Sequence, residues 1–198
     1  MAAEAGRAAQ AGTDVEVLVR DGALTGRWVL DPRASRVEFR VRHFWKAVTV
    51  RGWFERLEGE GAVGPDGKVA GQLVIDAASL NTKNNQRDRH LRSGDFFDVQ
   101  NHPRVVVTVS RAELTHGAQL AAEGELEAAG VREPLSFTAE VVDASPDAVT
   151  LQAELAVDRS LFGMTWRPLR IASVQATGSV TARFTRATAG SPPAAGPA

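Results

Sequence analysis

Four histidines, His43, His90, His102 and His116, are the first candidates for chemistry in this chain, because imidazole moves protons and binds metals near neutral pH. Their spacing offers no His-Glu-x-x-His pair, and the chain has no cysteine to supply a thiolate set for zinc. The lack of cysteine also excludes disulfides and thiol nucleophiles. Neither a Gly-x-Ser-x-Gly elbow nor a phosphate-binding glycine loop is present. Acid–base work is left to His43, or to His90 near Asp88, and it requires the fold to bring these groups together in a cavity. A structural hydrogen bond is the plainer role for each. The expectation is no catalytic residue, no metal and no cofactor.

Charge points the same way. Arg87, Arg89, His90 and Arg92 make a short basic cluster, but Asp88 and Asp95 dilute it, and the whole chain has a net charge of -1. A nucleic-acid binder ordinarily carries a strong basic excess, so no nucleic-acid partner is expected. A different mixture occupies Arg159 to Arg170, where Phe162, Met164, Trp166 and Leu169 alternate with Arg159, Arg167 and Arg170. Aromatic rings among guanidinium groups suit a lipid head group or a transient membrane contact; equally, the apolar residues can plug the end of a barrel while the arginines are solvated.

The elements that must position these groups are mostly strands. One interruption stands out, Asn81 to Pro103, with helix start and stop signals followed by Phe96-Phe97 and a chain-breaking His102-Pro103. The spacing predicts a helix over Gln86 to Ser93, with Asn85 as N-cap, Asp88 and Arg92 paired on one face, and Gly94 in the left-handed conformation that ends it.

Elsewhere apolar and polar residues alternate at the strand period of two. Val37, Phe39 and Val41 share a face; so do Leu73 and Ile75, Leu120 and Ala122, Leu135, Phe137 and Ala139, and Val174 through Phe184 at every second position. About eight such strands with short connections favour an antiparallel meander, and closure into a barrel removes the exposed edges that a sandwich would leave. The fold expected is all-β, an up-and-down eight-stranded barrel with one short helix. Gly52, Gly71, Gly124, Ala139, Ala153, Ala176, Gly178 and Ala182 fall on the inward parity. A barrel of about eight strands is near the size at which the interior is either filled or holds one small ligand. These small residues leave room for an apolar cavity, unless Phe39, Phe54, Phe137 and Phe184 fill it.

At 198 residues, with 43% hydrophobic and 24% charged residues, the chain fits one globular domain. Residues 1–13 read as a disordered leader, 14–27 as an extra hairpin built on Val15, Val17, Val19 and the Asp21-Gly22 turn, 28–186 as the barrel, and 187–198 as a disordered tail. The N-terminal residues lack the continuous apolar core of a signal peptide, and no run approaches the roughly 18 apolar residues of a membrane span, so a cytoplasmic location is expected.

The runs Trp28-Val29-Leu30-Asp31-Pro32, Ser35 to Phe39, Val41-Arg42-His43, Val50 to Phe54, Asn81-Thr82, Arg87 to Asp98, His102-Pro103 and Arg159 to Met164 together resemble the YceI-like polyisoprenoid-binding family. Ala34 departs from that pattern, which often has histidine before the serine. The resemblance, spanning about Trp28 to Phe184, implies a lipocalin-like barrel whose long apolar tunnel binds and carries a polyisoprenoid, a quinone or a fatty acid. The residues expected along it are Phe39, Val41, Val50, Phe54, Leu73, Leu91, Phe96, Phe137, Ala139, Leu155, Phe162, Ala176 and Val180, with His43, Arg159 and Trp166 at a mouth. Pairing of two barrels into a homodimer stays open, as do two other functions: an enzyme acting on a small apolar substrate, and a solid barrel serving as an interaction module.

Overall fold

The computed structural model describes residues 15–43, 48–165 and 172–187. Eleven strands run through them: β1 (Gly26–Leu30), β2 (Arg36–His43), β3 (Val48–Phe54), β4 (Leu57–Val63), β5 (Val69–Asp76), β6 (Leu80–Asn81), β7 (Arg104–Leu114), β8 (Gln119–Ala128), β9 (Val131–Ala144), β10 (Ala148–Asp158) and β11 (Ala172–Arg186). All pair antiparallel with a neighbour.

The expected barrel of eight is present, because two of its staves are bent strands. Both β1 and β2 pair with β11, and they pair in turn with β4 and β3. The ring then runs through β5, β7, β8, β9 and β10 and closes from β11 onto β1. Each bend has a side-chain cause. Between β1 and β2, Asp31 donates its N–H to the Arg183 carbonyl at 2.8 Å, and the Ser35 hydroxyl donates to the Asp31 carbonyl at 2.7 Å. Pro32, with no N–H, suits this break in the ladder. Between β3 and β4, the N–H groups of Glu55 and Arg56 both donate to Ser79 Oγ, each at 3.1 Å.

Two apolar clusters divide the interior. The upper one gathers Leu30, Val37, Phe54, Leu57, Leu80, Phe162 and Met164, and the lower one Val15, Leu24, Trp28, Leu120, Ala139 and Val141.

The segment expected as an extra hairpin is instead helical over 15–20 (α1). Five residues of alternation are too few to fix the period, because Val15, Leu18 and Val19 also stand at helical spacing. Val15 is buried and Leu18 and Val19 pack beside it, while Val17 points outward at 40% exposure. Asp21-Gly22 serves as a helix stop: Gly22 has φ 68°, and the N–H groups of Asp21, Gly22 and Ala23 return to the carbonyls of Val17, Val19 and Leu18.

The second helix, α2 (Asn85–Leu91), starts one residue earlier than expected. Its N-cap is Asn84, whose side chain accepts the Arg87 N–H at 3.0 Å. Asp88 does not pair with Arg92. Its buried carboxylate accepts the N–H and hydroxyl of Thr82, and Arg92 reaches across to the carbonyls of Ala78 and Leu80. Burial decides this exchange, since a carboxylate removed from water needs hydrogen-bond donors, and both of Thr82's reach Asp88 Oδ1. Gly94 does not take a positive φ, and the helix ends with Arg92 in right-handed conformation.

Candidate functional site: an apolar cavity in the lower barrel

A cavity of about 190 Å³ lies in the lower half of the barrel. Its walls carry Leu73, Val107, Val109, Ala122, Phe137, Ala139, Leu151, Ala153, Leu155, Val180, Ala182 and Phe184, and its floor is made by Val15, Val19 and Leu24 with Trp28 beside them. Alternation on β9 and β10 turns Leu135, Phe137, Ala153 and Leu155 inward, yet these side chains stay partly accessible, as expected of residues facing a space. A dry apolar space of order 150 Å³ suffices to hold a small aromatic ring.

The four phenylalanines that could fill the interior divide between its two halves. Phe39 and Phe54 pack at 5.7 Å between ring centroids with their planes tilted, and Phe54 meets Phe97 edge-on at 5.8 Å, so among the described residues these rings take up space in the upper half. Phe137 and Phe184 line the cavity below. The inward glycines also divide. A Cβ at Gly52 would fall 2.4 Å from the Phe39 ring, and one at Gly124 would fall 1.8 Å from the Thr108 carbonyl oxygen. Close approach therefore requires those two glycines and also Gly71, whose Cβ would fall 2.7 Å from the Glu60 carbonyl oxygen, while Gly71, Ala122, Ala139, Ala153 and Ala182 all lie on the cavity wall.

Of the residues expected along a tunnel, the structure brings Leu73, Phe137, Ala139, Leu155 and Val180 together on the cavity wall. Phe54 and Phe162 are buried in the upper core, with Phe39, Leu91 and Phe96 packed against it. Val41, Val50 and Ala176 are half-buried on the upper parts of β2, β3 and β11 and are not among the cavity's lining residues. Arg159 is buried, donates to the Met164 carbonyl and stacks 5.5 Å from the Phe96 ring, a structural post at the upper end. Trp166, the His43 side chain, and the expected leader and tail except Ala187 lie outside the described residues. Sequence reasoning missed the floor. The helical spacing of Val15, Leu18 and Val19 was the signal for it.

Among the described residues, the candidate acid–base groups do not converge. Asp88 serves Thr82, while His90 Nε2 lies 3.0 Å from Asp95 and sits edge-on to Phe96. The His102 ring packs under Gly130. Among the described residues, no group of three or more His, Asp or Glu side chains is placed to hold a metal ion. On the exterior, the Asp76 hydrogen bond holds Arg56 up, the Lys68 hydrogen bond holds Asp66 down, and the Glu113 hydrogen bond holds Arg111 up. None of the three lines the cavity.

A closed eight-stranded antiparallel barrel around an apolar cavity is the lipocalin-like plan, in which side chains pointing inward decide what is held. Residues 28–185 match the YceI-like domain, and the chain belongs to that family. Among its relatives, a UPF0312 protein of Vibrio campbellii is 27% identical over 142 residues, covering 69% of this chain and 74% of that one. One from Pectobacterium atrosepticum is 27% identical over 140 residues, covering 68% and 72%. The fold is similar to that of BcnA from Burkholderia cenocepacia, with a TM-score of 0.71 at 19% identity, covering 78% of this chain and 98% of that one. It is also similar to a polyisoprenoid binding domain from Saccharophagus degradans implicated in plant cell wall breakdown, with a TM-score of 0.67 at 19% identity and coverage of 81% and 98%.

Proposed function

We propose that this protein binds and carries a hydrophobic chain, of the polyisoprenoid, quinone or fatty-acid kind, with its apolar end in the lower cavity. The observation that carries the reading is the lining itself: apart from Glu60 and Gln72 at one side, it is glycine, aliphatic and aromatic residues. Each methylene transferred from water contributes about 0.8 kcal/mol before the costs of ordering, so roughly ten or more buried carbons are needed for micromolar affinity, which suits a long chain. The polyisoprenoid binding domain of similar fold supports the choice of ligand class.

Trp28, at the floor, supplies the test. A chain ending in bromine, 12-bromododecan-1-ol, should quench Trp28 emission saturably at one molecule per barrel, and the quenchable component should vanish in Trp28→Phe. Emission unaffected by the probe in both proteins would count against the cavity as a chain site.

A further inference from the structure

We propose that the cavity is loaded sideways, through the seam between β9 and β10, and that the outer mouth of this seam seats a neutral, hydrogen-bonding head group. The inference rests on the carrier reading above. The β9–β10 ladder stops at the pair Ala139 and Ala153. Beyond it, residues 131–138 of β9 pair with β8 and residues 154–158 of β10 pair with β11, but not with each other. Outside the barrel at this point is a cleft of about 420 Å³, and three of its lining residues, Ala139, Ala153 and Val180, also line the inner cavity. At the seam, a layer of small side chains divides inside from outside.

Among the described residues, size and strand pairing favour this route. The inner cavity is smaller than the roughly 300–1,000 Å³ of a ligand pocket, so only the end of a long chain fits and the rest must cross the wall. The floor is tied down, with Trp28 donating to the Leu24 carbonyl and Arg186 to those of Thr25 and Ala23. Phe54, Leu80 and Phe162 are buried in the upper core. Crossing the wall between β8 and β9 would break a ladder that is continuous from Gln119 to Ala128, whereas past Ala139 and Ala153 there is no shared ladder to break.

Charge then selects the head group. The charged residues lining the cleft are Glu140 and Glu154, of which Glu154 pairs with Arg40; Gln152 and Thr138 offer neutral hydrogen bonds. A carboxylate or phosphate placed there meets the negative charge of Glu140, while a hydroxyl, amide or quinone carbonyl does not.

The chain's lack of cysteine permits a clean test, since a pair in Ala139→Cys/Ala153→Cys forms the protein's only disulfide, and antiparallel partners lie within bridging distance. Thr108→Cys/Glu125→Cys, between laddered strands elsewhere on the wall, is the control. Uptake of 12-bromododecan-1-ol, read as the rate of Trp28 quenching, should slow by about tenfold or more when the seam disulfide is oxidised and recover on reduction, with no change in the control. Protein loaded before oxidation should retain the chain. The alcohol should bind about threefold or more tightly than 12-bromododecanoate at low salt, and the gap should narrow at high salt. Equal uptake rates in both redox states would overturn the lateral route and leave carriage standing, and tighter binding of the carboxylate would overturn the head-group site. No quenching in either redox state, in a barrel that still melts cooperatively, would overturn carriage and this inference together.

Discussion

Trp28 donates its indole N–H to the carbonyl oxygen of Leu24 at 2.9 Å, so a residue of the cavity wall holds the segment that floors it. The Arg186 guanidinium lies 4.7 Å from the same ring and donates to the carbonyls of Ala23 and Thr25, which fixes the floor from the other side. In Trp28→Phe the Leu24 carbonyl loses its buried donor. A loss of about 1–2 kcal/mol is expected, read as a lower urea midpoint. An unchanged midpoint would mean that the arginine alone anchors the segment.

Gly124 is required by the backbone of its neighbour strand. Gly124→Ala sets a methyl group on the Thr108 carbonyl, and because that atom belongs to the backbone it cannot swing away. The expected cost is about 1–3 kcal/mol or more in a denaturation curve. Gly178→Ala, whose new Cβ would have its nearest neighbour at 3.9 Å, should be tolerated. Equal behaviour of the two variants would contradict the assignment of Gly124.

Asp88 holds the start of the α2 motif to β6. Asp88→Ala leaves the Thr82 N–H without its buried acceptor and should cost about 1–3 kcal/mol. Chain binding at the opposite end of the barrel should be unaffected. Asp88→Asn, which keeps one accepting oxygen, should recover part of the loss. Weakened binding in a stably folded Asp88→Ala protein would mean that the two ends are coupled.

Most of the barrel is readable from the alternation of Val37, Phe39 and Val41 and its repeats, because a strand with one buried face must put apolar residues at every second position. The bends were not legible, since they depend on Ser35 and Ser79 bonding to backbone that is remote in sequence. α1 was misread because Val15, Val17 and Val19 satisfy the strand period as Val15, Leu18 and Val19 satisfy the helical one, and only the barrel end they cover decides between them. The inward parity marked Ala139 and Ala153 but could not separate them from Gly52, where a neighbour's ring takes the space. Phe54 and Phe162, expected along a tunnel, pack into the core at the upper end, because strand parity marks an inward residue without saying whether it meets a neighbour or a space.

Carriage is tested most directly by extracting the purified native protein with organic solvent and identifying what is released by mass spectrometry. Wild-type protein would be compared with Ala139→Phe, which places a ring in the cavity, and Ala176→Phe, whose position does not line it. A prenyl or acyl lipid near one per barrel in wild type and Ala176→Phe, lost from a folded Ala139→Phe protein, is the predicted result. An empty wild-type extract after incubation with membrane lipids, or equal lipid in all three proteins, would contradict the account.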